Sequence, residues 1–128
     1  MVRNLGVKRR EAVYKENLER SREAASLGAE IAEAYQKQQS LGSAERKKLG
    51  RIEKLAKNIR NDHGGNDDDE ALKELPKDLT EAVSRLARTA ENLKDKVEKT
   101  PKHVVSSSVI NSANQLLEII RLIRSFAG

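Results

Sequence analysis

The chain has 128 residues, of which 35% are charged and only 2% aromatic, and it contains no cysteine. This length allows one domain with its own core and is short for two, and the lack of cysteine excludes disulfide bonds, thiolate catalysis and cysteine-ligated metals. The formal net charge of +5 is unevenly distributed, with +7 in residues 1–60, −6 in 61–81 and +4 in 82–128. We interpret this pattern as charge complementarity within the molecule, with a partner surface as the alternative.

The first helix is predicted from about Val7 to Gln39, where apolar and small side chains recur at intervals of three and four residues. Gly28 lies on this stripe and predicts either a close approach by a neighbouring helix or a kink. Residues 1–8 are basic and contain few apolar residues, so we expect a frayed or disordered arm. An arm that binds nucleic acid is the alternative for this segment.

The second helix is predicted from Ser43, its expected N-cap, to about Asn61. Because the linker before it is short, the first two helices are expected to be antiparallel neighbours. The glycine pair at 64–65 should end the second helix. Residues 61–77 form an acidic connector, in which Asn66 is predicted to cap a short extra helix before the third main helix.

The third and fourth helices carry the clearest boundary signals. Asp78 and Glu81 form a capping-box pattern at the start of the third helix, whose apolar residues show a regular heptad spacing. Thr100 as N-cap, followed by Pro101 at the first helical position, predicts the start of the fourth helix. The stretch Val104–Phe126 is the most apolar in the chain, so the fourth helix is predicted to be central and covered by the others.

Together these elements predict a single all-α domain over residues 1–128, an antiparallel four-helix bundle of the up-down type with a short extra helix before helix 3. Charged and amide side chains interrupt the apolar stretch, so no integral membrane segment is expected. No signal peptide is recognised, which slightly favours the cytoplasm, while a secreted or periplasmic protein whose signal peptide has been removed is the alternative. The predicted core comprises Leu18, Ile31, Ile52, Ile59, Leu79, Val83, Leu86, Leu93, Val109, Leu116, Ile120 and Ile123.

The sequence contains no recognisable catalytic motif. The chain has two histidines, and neither belongs to a metal-binding helix motif, a phosphate loop or a Ser-His-Asp arrangement. We therefore predict no enzymatic activity and no cofactor. A divalent cation at the acidic loop 62–70 is a weak candidate, since the ligand spacing does not follow the calcium-loop pattern. Its ligands would come from Asp62, His63, Asp67, Asp68 and Asp69.

A non-catalytic helical interaction or scaffold protein is the favoured function. The fourth helix has more apolar surface than one buried stripe requires, and this surplus is predicted to contact a protein partner or a second copy in a homodimer. Its candidate residues are Ile119, Leu122 and Phe126.

A nucleic-acid-binding module acting through helices 1 and 2 is the alternative function. It is less favoured because no helix-turn-helix pattern is evident and few aromatic residues are available for base stacking. Its candidate residues lie on the basic second helix and are Arg46, Lys47, Lys48, Arg51 and Lys54.

Overall fold

The computed structural model describes residues 2–66, 72–101 and 104–127, with side chains from residue 10 onward. Within these ranges the chain is entirely helical apart from loops, which confirms the all-α bundle. The first helix begins earlier than predicted, and the expected fraying of residues 1–8 stays a prediction. The four helices are α1 (Val2–Gln38), α2 (Ser43–Asp62), α3 (Leu79–Lys99) and α4 (Ser107–Ala127).

The helices form a ring in the order α1–α2–α4–α3, in which each helix packs against two others. Residue pairs such as Arg20 with Asp62 and Glu30 with Lys48 show that α1 and α2 run in opposite directions. Helices α2 and α3 follow one another in sequence but lie at opposite corners of the ring. The up-down order, in which consecutive helices are neighbours, is therefore not confirmed.

The connector between α2 and α3 contacts α4 at two described positions, Asn66 and Leu72. The Asn114 side-chain amide donates to the Asn66 carbonyl at 3.1 Å, and the Leu72 N–H donates to Glu118 Oε2 at 3.3 Å. Helix α4 is thus covered by α2, α3 and the connector, which explains why it is so apolar. The extra helix is not confirmed, because residues 67–71 lie outside the described residues and residues 72–78 are not helical.

Two of the predicted helix boundaries are confirmed. Asp78 Oδ1 accepts a hydrogen bond from the Glu81 N–H at 2.9 Å, so this aspartate is the N-cap of α3. At the end of α2, Gly64 has a φ of +81°, a left-handed conformation that glycine adopts without steric cost. The glycine pair therefore ends α2 as the sequence predicted.

Two predicted N-caps are wrong. Gly42 caps α2 in place of Ser43, and its N–H donates to Glu45 Oε1 at 2.9 Å. Thr100 caps the end of α3 instead of the start of α4, because its hydroxyl donates to the Lys96 carbonyl at 2.7 Å. The cap of α4 is Ser106, whose Oγ accepts from the Val109 N–H at 3.2 Å.

The core is aliphatic, and ten of the twelve predicted core residues are buried in it. The other two, Leu18 and Leu79, are partly buried and pack against its edge. Gly28 allows α1 to approach α3, since a Cβ at this position would be 3.3 Å from the Ala90 Cβ and 3.4 Å from the Ala87 Cα. Close approach, and not a kink, is the role of this glycine. None of the helices in the described ranges has the length and hydropathy needed to cross a bilayer.

Gly65 allows the connector to lie against α4, and we expect Gly65→Ala to destabilise the protein by about 1–2 kcal/mol through overpacking. A Cβ there would be 2.5 Å from the Ile110 Cγ2 and 2.8 Å from the Arg60 Cγ. Gly50 is the matched control, because a Cβ there would meet nothing within 4 Å. Gly50→Ala should instead stabilise α2 by up to about 1 kcal/mol. Urea denaturation of both variants tests this contrast, and equal effects would contradict the position of the connector.

Candidate functional site: the end cleft

One end of the bundle contains a cleft of about 420 Å³ between α1, the end of α2, the end of α3 and the α3–α4 loop. Helix α1 has 37 residues, against 20 or 21 in each of the others, so its N-terminal part extends past the end of the bundle. We call this site the end cleft. Its apolar wall is formed by Val13, Tyr14, Val97, Pro101, Val104 and Val105, and its polar lining by Arg10, Asn17, Asp62, His63 and Thr100.

The α3–α4 loop exposes two adjacent valines at the end cleft. Val104 is 49% exposed and Val105 is 69% exposed. Both were predicted to lie on the fourth helix, but α4 begins only at Ser107, so they lie in the loop. These two side chains extend the apolar wall of the end cleft to the surface, so that the cleft and the valines together form a candidate binding surface.

Most polar groups in the end cleft already have partners. Asp62 Oδ2 accepts a hydrogen bond from Arg20 Nη1 at 2.8 Å, so this carboxylate is charge-compensated. The Thr100 hydroxyl donates its hydrogen bond to the Lys96 carbonyl of α3. Of the charged side chains in the described lining, Arg10 has no ion pair.

His63 is held as a neutral hydrogen-bond acceptor. Its Nδ1 accepts from the Ser106 N–H at 3.1 Å, so in the neutral ring the proton is on Nε2. Burial lowers the pKa of His63 below its usual value of 6.5, against an opposing effect of Asp62. With Nδ1 and the Asp62 carboxylate both engaged, the described lining contains no assembled pair of nucleophile and base.

This histidine should make the protein less stable in mild acid. Because folding lowers its pKa, the unfolded chain binds more protons below about pH 6.5. The stability that the neutral imidazole contributes is present above that pH and is lost as the pH falls through the window below it. We expect the free energy of unfolding to fall more steeply between about pH 7 and pH 5 in the wild type than in His63→Gln.

The same comparison separates His63 from the carboxylates. Hydrogen bonds from Arg51 and Arg124 lower the pKa values of Glu23 and Glu53 below 4.5, so these groups titrate at lower pH. Parallel pH curves for the wild type and His63→Gln, measured by denaturant unfolding, would contradict the role of His63.

The predicted cation ligands are only partly described. Asp67, Asp68 and Asp69 lie outside the described residues, while Asp62 and His63 are engaged as above. The described part of the chain contains no group of three or more metal-binding side chains. Cation binding at the acidic loop stays a prediction.

The three residues of the predicted partner surface on the fourth helix differ in how far they are exposed. Ile119 is fully buried within the chain, Leu122 is partly buried and Phe126 is 40% exposed. The apolar surplus that suggested a partner surface is therefore partly buried within the bundle. Homodimer formation stays a prediction.

Two of the five predicted nucleic-acid residues form ion pairs with α1, and three do not. Lys48 and Arg51 contact Glu30 and Glu23 of α1, at 4.0 and 2.6 Å. The remaining three, Arg46, Lys47 and Lys54, are exposed and form no ion pair with any described residue. The α1 side of the predicted surface is therefore largely neutralised.

No protein family matches the chain, and neither the curated proteins nor the solved structures contain a significant match.

Proposed function

We propose that this protein is a non-catalytic helical interaction protein that binds a partner protein through the end cleft. The observation that supports this most is the pair of exposed valines at an apolar cleft of about 420 Å³. Clefts of this size suit a few side chains of a peptide, because ligand pockets usually measure about 300–1,000 Å³. The hydrogen-bond partners of His63 and Asp62 support binding in preference to catalysis.

The chemistry of the cleft defines the segment that it binds. The valines and Val13 offer an aliphatic surface, so the partner supplies Leu, Ile or Val side chains. Arg10 is an exposed cation without an ion-pair partner among the described residues, and it matches a carboxylate on the same segment. The proposed ligand is therefore a short aliphatic peptide segment that carries Asp or Glu.

Selection from a displayed peptide library tests this proposal even while the partner is unidentified. We expect enriched peptides to combine aliphatic residues with Asp or Glu. They should bind Val105→Asp and Arg10→Glu at least tenfold more weakly, because one variant places a charge in the apolar wall and the other repels the carboxylate. Lys47→Glu is the matched control, since this exposed lysine lies on α2 at the other end of the bundle, and it should leave binding unchanged.

Three results would contradict the proposal. The first is the absence of enriched peptides, and the second is equal binding to the wild type and Val105→Asp. The third is a dimer in light scattering that Val105→Asp converts to a monomer, because a second copy of the chain would then occupy the cleft.

A further inference from the structure

Helices α2 and α4 together form a cationic face on the side of the bundle away from α1 and α3. Arg124 of α4 binds Glu53 of α2 at 2.9 and 3.2 Å, which fixes the two helices side by side at this point. Lys57 lies one helical turn beyond Glu53, and Arg121 lies one turn before Arg124. Both cations are close enough to Glu53 to help lower its pKa. The α2–α4 face consists of Arg46, Lys54, Lys57, Arg121 and Arg124 around this glutamate.

Several cations on the α2–α4 face are exposed and form no direct ion pair. Lys54, Lys57 and Arg121 are exposed, and none of them forms an ion pair with any residue that the structure describes. Arg46 donates only a long hydrogen bond, 3.5 Å, to the Ala127 carbonyl. Glu53 is therefore outnumbered on this surface.

The positive charge of the helices is greatest on α2. Helix α2 has seven Lys or Arg and three Asp or Glu, and α4 has two and one, so that together they carry +5. Helix α3 has five basic and four acidic residues. Helices α1, α3 and α4 carry +2, +1 and +1, so α2 is the most basic helix, and the fold places Arg121 and Arg124 of α4 beside it.

We propose that the α2–α4 face binds the phosphate backbone of nucleic acid without sequence preference. Its exposed cations match the regular anionic charge of a phosphate chain, which provides most of the affinity in non-specific binding. This surface differs from the predicted one on helices 1 and 2, because α4 replaces α1 as the second helix. It is separate from the end cleft, so the two proposals can fail independently.

The composition of the face favours nucleic acid over other anionic partners. A protein partner needs an apolar centre to the interface, and a membrane surface binds through inserted apolar side chains. Of the large apolar residues exposed in the described chain, Leu75, Val104, Val105 and Phe126, only Phe126 is on α2 or α4, and it lies about 160° around α4 from Arg124, away from this face. Base stacking is not expected either, because the face contains no aromatic residue.

Fluorescence anisotropy with a short labelled duplex DNA of mixed sequence tests this proposal. We expect a Kd of about 10⁻⁶ to 10⁻⁴ M at physiological salt, tightening as the salt is lowered, and a plot of log K against log salt with a slope of about −3, since three unpaired cations contact phosphates. Lys54→Glu with Lys57→Glu should weaken binding at least tenfold and make this slope shallower. Both side chains are exposed, and circular dichroism will verify that the variant remains folded.

The matched control is Lys15→Glu with Arg88→Glu, which changes the net charge equally at exposed positions on α1 and α3. It should retain most of the affinity. Equal loss in the control and in the test variant would overturn the proposal, because binding would then depend on net charge alone. It would also be overturned by the absence of binding at about 50 mM salt. If the test variant lost binding to phosphatidylserine vesicles while its DNA binding was unchanged, the face would be assigned to a membrane instead.

Discussion

Replacing Ile119 with alanine is expected to lower the free energy of unfolding by about 2–5 kcal/mol, the usual cost of removing a large buried aliphatic side chain. Ile119 is fully buried in the single chain, although its sequence position also suggested a partner surface. Phe126, on the same helix, is the comparison. Because it is 40% exposed, Phe126→Ala should lower the free energy of unfolding by only about 1 kcal/mol. Denaturant unfolding at low and high protein concentration measures both effects.

Concentration dependence separates a core residue from an interface residue. If Ile119 packs within the chain, the loss is the same at both concentrations. If it packs against a second copy, Ile119→Ala changes stability only where the dimer forms. The latter result would move this residue out of the core.

Replacing Gly28 with leucine is expected to cost about 3 kcal/mol, at the upper end of overpacking effects. The new side chain would meet Ala90 and Ala87 of α3, since even a Cβ would be only 3.3 and 3.4 Å from them. The α1–α3 interface would have to separate, or the leucine would have to leave its preferred rotamer. Thermal and urea unfolding measure the loss.

Gly50→Leu is the control for this substitution. Gly50 is also in a helix, but a Cβ there has open space within 4 Å. Leucine should therefore leave stability unchanged or raise it by about 0.5–1 kcal/mol through its better helix propensity. Similar losses at both positions would show that α1 does not approach α3 as closely as described.

Local patterns in the sequence predicted the helices well, whereas their arrangement depended on information that those patterns lack. The heptad of α3 and the Asp78 cap predicted that helix correctly, because each depends on residues within a few positions of one another. The ring order depends on contacts such as Asn114 with Asn66, which are distant in sequence. Periodicity identifies the buried face of a helix but not the helix that covers it.

The end cleft was harder to predict than the core. The sequence placed Val104 and Val105 on a helix, because Thr100-Pro101 matches a helix start as well as it matches a helix end. In the structure Ser106, and not Thr100, caps the start of α4, so the helix begins after the two valines. The approach of His63 to this loop joins positions far apart in the chain, so no local pattern could have indicated it. The basic character of α2 was evident from sequence, but its alignment with Arg121 and Arg124 required the fold.

An NMR titration with a small aliphatic carboxylate tests the end cleft most directly. In ¹H–¹⁵N spectra, 4-methylpentanoate should produce saturable shifts of amides around Val13, Val97 and Val105, while the amine of the same shape, 4-methylpentylamine, should not. Arg10→Glu should abolish the saturable shifts and leave the spectrum otherwise intact. Shifts that are equal for both compounds, or that lie mainly outside the cleft, would contradict a binding site for an aliphatic and acidic segment at this end of the bundle.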